Sequence, residues 1–340
     1  MTASVERFSL PLERPLDTAT GRITSREGFL VSLDGGIGEA TPLPGWTESI
    51  DACKRALVAA TDKFENGEDV LAGLEECPAA RHGLELALAD RAARAAGVSL
   101  ATHLGGGEPL ASVPVNATVG DGSVEATAAA VVEARDAGLE CCKLKVGRRS
   151  LSSDLERIDA ARRAAPDVDI RVDANGSWSH ATAESALPSL AANGVSLLEQ
   201  PLPADQLEAS AMLRGRGVPI GLDESLNTLG LEAILEHDAA DAVVVKPMAV
   251  GGVCRALDKL EAAAAAGVAG IVSTTIDGLV ARLGALHVAA TRPDPLPAGI
   301  ATGDRLASDL GDSPIELTDG RLPLPVGSGL GLEPGWRHSC

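Results

Sequence analysis

The chain has 340 residues, a length that suggests about two domains, and hydrophobic residues make up 45% of it, enough to bury sizeable cores. Its net charge of -19 at pH 7 and its pI near 4.7 argue against nucleic acid or an anionic membrane as partner, since either needs a basic surface. Few lysines, few aromatics and a large acid excess look like the composition of a protein from a high-salt cytoplasm, which predicts activity rising with molar KCl. The six cysteines, Cys53, Cys77, Cys141, Cys142, Cys254 and Cys340, form no Cys-x-x-Cys pair and have no closely spaced His pair beside them. They read as small buried apolar residues or as free thiols of a reducing compartment. The first ten residues carry no apolar signal core, and the longest apolar run, 262–272, is too short and too glycine-broken to span a bilayer. A soluble cytoplasmic protein is expected.

Residues 1 to about 45 read as strands. The run 29–33 is rich in β-formers, Asp34-Gly35-Gly36 is a turn, and 37–40 is the next strand. It leads into Thr41-Pro42-Leu43-Pro44-Gly45-Trp46, where two prolines and a glycine favour a stiff loop over a helix. With Leu43 and Trp46 apolar, that segment reads either as a surface turn or as a loop covering a substrate. From 48 to about 97 the pattern is helical, clearest over 84–96, which is rich in helix formers and stopped by Gly97. The glycine-rich stretch 104–112 is a linker and places a domain boundary there. Beyond it, short apolar strands recur at 113–118, 141–146, 170–174, 196–199, 219–222, 242–246, 270–274 and 298–301, with helical stretches such as 123–137, 154–164 and 252–265 between them. Eight strands alternating with helices predict a parallel (β/α)8 barrel, whose chemistry sits at the C-terminal ends of the strands.

The lysines break the chain's own habit. Of 29 Lys plus Arg only six are Lys, and two of these, Lys143 and Lys145, stand two residues apart at the end of an apolar run. In a strand they face the same side. Their repulsion there lowers the pKa of at least one, and a lysine, unlike an arginine, can be tuned into a base. Lys145, Asp173, Glu199, Asp223 and Lys246 then follow one another at 28, 26, 24 and 23 residues, one βα unit each. Taken singly, any of these acids reads as an exposed helix cap. Together, Asp173, Glu199 and Asp223 converge at one rim, where three carboxylates cannot all stay ionised without a cation. Hard oxygen ligands in that number suit Mg2+, with Mn2+ as a substitute. The second and sixth strands of an eight-stranded ring are opposite, so Lys145 and Lys246 face each other across the mouth. This set serves a carbanion beside a carboxylate: a cation for the carboxylate, a lysine to move the α-proton, and a second ammonium for charge on the far face. The expected reaction is proton abstraction α to the carboxylate of a small molecule, followed by elimination, re-protonation or cyclisation.

The arrangement resembles the enolase superfamily, in the branch with Lys-x-Lys on the second strand and a lysine on the sixth. The segments that carry the resemblance are Arg26-Glu27-Gly28, Gly38-Glu39-Ala40-Thr41-Pro42-Leu43-Pro44-Gly45-Trp46, Cys142-Lys143-Leu144-Lys145-Val146-Gly147, Arg171-Val172-Asp173-Ala174-Asn175, Asp223-Glu224-Ser225-Leu226 and Val244-Val245-Lys246-Pro247. The Pro42-Leu43-Pro44-Gly45 loop is most similar to the o-succinylbenzoate synthase family of menaquinone biosynthesis. The resemblance implies an α/β fold of an α+β capping domain over 1–110, a (β/α) barrel over 111–311 and a tail, 312–340, returning to the cap. It implies Mg2+ held by Asp173, Glu199 and Asp223, and it is the resemblance that picks Asp223 over the adjacent Glu224. It further implies Lys145 as the base, Lys143 lowering the pKa of Lys145, Lys246 facing the enediolate, and Arg171, Asn175, Ser273 and Thr274 as supporting or substrate contacts. The synthase pattern of a serine-rich seventh strand end followed by Glu-Ser is replaced here by Ser273-Thr274-Thr275-Ile276-Asp277-Gly278. Two opposed lysines also permit an N-acylamino acid racemase or dipeptide epimerase, although the Asp-x-Asp of dipeptide epimerases is missing from Gly299-Ile300-Ala301-Thr302-Gly303-Asp304. A muconate-type cycloisomerase stays open too. A barrel that only binds a ligand is disfavoured by the intact lysines and acids.

Overall fold

The computed structural model describes residues 1–18, 21–333 and 336. β1 (Ala3–Thr18), β2 (Gly21–Leu33) and β3 (Gly36–Ala40) form an antiparallel sheet in that order. The period-two alternation of β2 sends Phe29, Val31 and Leu33 into one core with Leu57, Phe64 and Leu84, while Leu30 joins Phe8 and Leu10 in the larger core shared with the barrel. The stretch read as helical holds two helices, α1 (Ile50–Glu65) and α2 (Pro78–Ala96). Ser49 caps the first with its hydroxyl accepting from the Ala52 amide. The second opens on a proline and stops at Gly97, whose φ of 69° favours a residue without a Cβ. Gly38 lets α2 lie directly on β3, since a Cβ there would come within 1.9 Å of the Gly83 carbonyl oxygen.

After α3 (Leu100–Gly105) the predicted strand 113–118 divides around Val115. Its first part, β4 (Ser112–Pro114), pairs outside the barrel with β12 (Arg321–Pro323) near the C-terminus, and only β5 (Asn116–Val119) enters the ring. From there strand and helix alternate: α4 (Val124–Asp136), β6 (Cys141–Lys145), α5 (Leu151–Ala164), β7 (Asp169–Asp173), α6 (His180–Ala192), β8 (Val195–Glu199), α7 (Leu207–Leu213), β9 (Ile220–Leu222), α8 (Glu224–Glu236), β10 (Ala242–Val245), α9 (Pro247–Val250), α10 (Val253–Ala265), β11 (Ala269–Val272) and α11 (Leu279–Ala290). Serine caps start three of these helices, Ser123, Ser150 and Ser179 each accepting from the amide three residues on. The seven strands β5 to β11 lie parallel in chain order. The expected eighth strand, 298–301, shrinks to two residues. Ala298 bridges Val115 and Gly299 bridges Ser273, closing the ring with one bridge on each side. The segment then turns away, with the Thr302 amide bonded to the Ile300 carbonyl.

Leu197, Ala242, Val244 and Ile271 fill the barrel interior. The C-terminal segment runs back to α2, where the Leu330 amide donates to Asp90 at 2.7 Å and Arg94 donates to the Leu332 carbonyl at 3.2 Å. Cys53, Cys141 and Cys142 are buried free thiols, Cys77 is half-buried, Cys254 is exposed, and Cys340 lies outside the described residues. Among the described residues no helix is long and apolar enough to cross a membrane.

Candidate active site

The strand ends meet at one mouth. β6 stops at Lys145 because Gly147 turns the chain at φ 88°, where a Cβ would lie 1.9 Å from the Ser177 hydroxyl. A buried ion pair on α5 fixes this end. Asp154 accepts from the Gly147 amide at 2.7 Å, and Arg157, bonded to Asp154 at 2.9 Å, also donates to the Lys145 carbonyl at 2.9 Å. At the end of β8, Gln200 does similar work for β9: its side-chain oxygen accepts from the Asp223 and Ser225 amides.

Lys143 Nζ lies 2.8 Å from Asp173 and 2.5 Å from Glu199. Lys145 Nζ lies 2.6 Å from Asp173 and 2.9 Å from the Asn175 side-chain oxygen. Four strands away round the ring, Lys246 Nζ lies 2.6 Å from Asp223 and 3.6 Å from the centre of a Trp46 ring. The 41–46 loop therefore covers the site rather than forming a free surface turn. Asn227 ties it down by donating to the Trp46 carbonyl at 3.2 Å. The space left among Trp46, Asp223, Leu226, Asn227 and Lys246 is about 10 Å3, at the limit for one water.

The three acids are deeply buried: Asp173 is 0% exposed, Glu199 2% and Asp223 3%. Burial opposes ionisation of Asp173, yet the ammoniums of Lys143 and Lys145 outweigh it and hold this carboxyl well below the usual range. Glu199 goes the other way. Burial, then the charges of Asp173 and Asp223, push it up, because it shares Lys143 with Asp173. Asp223 is also raised, by burial first and by Glu224, against the pull of Lys246. For Lys143 burial works downward, but Asp173, Glu199 and Asp223 lift it above the ordinary lysine value. The carboxylates, not the neighbouring ammonium, thus dominate Lys143.

Among the described residues no three His, Cys, Asp or Glu side chains form a ready-made cation cage, since Lys143 bridges two of the three carboxylates. The donor set still fits a hard divalent cation. Asp223 keeps one buried oxygen, Oδ1, with no hydrogen-bond partner, and Glu224 Oε2 beside it is likewise unpartnered. Four acids, Asp173, Glu199, Asp223 and Glu224, also face only three lysines here, which leaves negative charge to be met.

Asn175 belongs to the cluster: it holds Lys145 through its side-chain oxygen and donates to Glu224 at 3.0 Å. Ser273 and Thr274 stand at the β11 end, but their hydroxyls are engaged with the Gly299 carbonyl and Thr302. Arg171 is not brought to the mouth. It is 3% exposed, donates to the Pro297 carbonyl at 2.8 Å and so braces the ring seam. Its place on β7, two residues before Asp173, puts it on the same face but one pleat deeper. Arg157 and Gln200 went unread because their bonds to the Lys145 carbonyl and to the Asp223 and Ser225 amides leave no spacing signal.

Residues 126–338 match the family described as enolase C-terminal domain-like, and residues 1–91 match the MenC N-terminal domain. A chloromuconate cycloisomerase from Cupriavidus necator is 33% identical over 350 aligned positions, covering 95% of this chain and 93% of its own. An o-succinylbenzoate synthase from Yersinia enterocolitica is 28% identical over 331, covering 95% of each. The solved structure of a substrate-liganded L-Ala-D/L-Glu epimerase from Bacillus subtilis is similar with a TM-score of 0.87 at 26% identity, covering 97% of this chain and 98% of that one. With strand-end lysines and acids on a capped barrel, and with these matches along its length, the chain belongs to the enolase superfamily.

Proposed function

We propose that the chain is a Mg2+-dependent o-succinylbenzoate synthase of menaquinone biosynthesis, removing water from 2-succinyl-6-hydroxy-2,4-cyclohexadiene-1-carboxylate. The observation that carries this reading is the match of residues 1–91 to the MenC N-terminal domain, because those residues include the loop that lies on Lys246. Asp173, Glu199 and Asp223 would hold the cation, whose divalent charge would make the proton next to the substrate carboxylate easier to remove. Lys145 takes that proton on its Nζ, with Asp173 and Asn175 setting the direction of the side chain. It then returns the proton to the departing hydroxyl on the same face. The carbon–oxygen bond breaks, water leaves with the electron pair, and the ring becomes aromatic. Lys246, between Asp223 and the Trp46 ring, presents its ammonium to the negative charge that develops on the far face. Lys143 balances Asp173 and Glu199 behind the base.

The test is turnover of the cyclohexadiene with Mg2+, alongside EDTA and Lys145→Ala controls. Metal-dependent formation of the aromatic product, reduced at least ~10^3-fold in the variant while substrate binding persists, supports the reading. A second reading, a cycloisomerase, is favoured by the 33% identity with the Cupriavidus enzyme over almost the whole chain. Lactone formation from a chloromuconate, with no dehydration of the cyclohexadiene, would select it. α-Deuterium exchange into N-acylamino acids alone would select a racemase.

A further inference from the structure

Arg26 lies in the cap, 2% exposed, outside the reacting groups. Its guanidinium donates to three carbonyls: Thr41 at 2.9 Å, Pro42 at 3.0 Å and Ile276 at 3.1 Å. The first two begin the loop that carries Trp46 over Lys246. The third belongs to the turn that follows β11, just past Thr274. Asp277 in that turn lies 3.9 Å from the same guanidinium.

Two features mark the turn as held rather than relaxed. Ile276 has φ 61°, a left-handed conformation that a β-branched residue avoids and keeps only where its surroundings impose it. The clamps on either side are visible. The Thr275 amide donates to Asp277 at 3.1 Å, and the Gly278 amide donates to Glu39 at 2.7 Å. The cap loop is pinned at its other side too, where the Thr41 amide donates to the Met248 sulfur at 3.4 Å, two residues after Lys246. One guanidinium thus joins two segments that flank neighbouring strands, β10 and β11, at the mouth.

We infer that Arg26 is a positioning residue for substrate selection: by tying the Thr41–Pro42 carbonyls to the Ile276 carbonyl, it makes the Trp46 wall and the post-β11 wall of the mouth one rigid unit. The part of the substrate sorted by these walls is the group remote from the reacting carboxylate, the succinyl chain on the reading above. The inference rests on that reading only for the identity of this group.

Arg26→Met removes all three bonds, and Arg26→Lys keeps at most some of them. With the cyclohexadiene as probe, R26M should raise KM ~10-fold with kcat changed less than ~3-fold, and R26K should fall between. Independently of any substrate, acrylamide quenching of Trp46, taken as the difference between R26M and R26M/W46F, should rise ~3-fold relative to the matching wild-type and W46F difference. Unchanged Trp46 quenching, with only the melting temperature lowered, would overturn the inference and leave Arg26 as a fold-stabilising residue. Should R26M not fold, R26K carries the same readouts. Should the wild type fail to turn over the cyclohexadiene, the proposed activity falls, and the quenching difference still decides whether Arg26 locks the walls.

Discussion

Asp223 has two carboxylate oxygens in different circumstances. One accepts from Lys246 at 2.6 Å, and the other is buried with no partner. Spacing along the chain could not separate Asp223 from Glu224, and the structure shows why. Both acids leave an oxygen unpartnered, but only Asp223 is paired to a strand-end lysine, while Glu224 leans on Asn175. Asp223→Asn keeps the shape and removes the charge. Mn2+ titration should show affinity falling by about 10- to 100-fold, with turnover falling at least as far. An unaltered Mn2+ isotherm would remove Asp223 from the ligand set. Gly147 offers a second residue-level test, since it combines φ 88° with a 1.9 Å approach to the Ser177 hydroxyl. Gly147→Ala should cost ~2 kcal/mol or more of stability in a urea melt. It should also reduce turnover, because the turn that Ala would strain lies two residues after Lys145.

At the scale of elements, α11 starts on Glu39, which reaches from β3 to accept the Gly278 and Ala281 amides at 2.7 and 2.9 Å. Burial first, then Asp277, push this carboxyl up from 4.5 to about 7. The folded chain therefore keeps a proton that the unfolded chain has already released between those values. Stability must then fall as pH rises through that window, by on the order of 3 kcal/mol from this group. Urea melts at pH 5 and pH 7.5 should show the wild type losing more stability over that step than Glu39→Gln, and equal losses would count against a buried, protonating Glu39. None of this was legible in the sequence, where Glu39 reads as one residue of a short strand. The strands β6 to β10 were legible, because apolar runs ending in Lys, Asp or Glu recur once per βα unit there. The eighth strand was not. An apolar run at 298–301 satisfies the same pattern, and only the tertiary structure shows that, among its described residues, just Ala298 and Gly299 form bridges to the neighbouring segments. Strand 113–118 failed for a related reason: a chain can change sheets at Val115 without changing its hydrophobic rhythm.

Over the whole molecule, the net charge of -19 sets a repulsive background that salt screens. The melting temperature should rise between 0.1 and 1 M KCl. A fall would mean that the attractive surface pairs, such as Arg163 with Asp159, outweigh the repulsion. Composition makes that background readable, but not the distribution of strength around the ring. β6 and β7 register over five consecutive residues, whereas the closure at 298–299 relies on the Ala298 amide to Pro114, the Asn116 amide to Ala298 and the Gly299 amide to Val272. A belt parts at its buckle. In deuterated buffer the Gly299 amide should take up label well before those of Leu144 and Val172, and the first breath of the barrel on warming should open between β11 and β5, the side of the mouth away from the clustered acids.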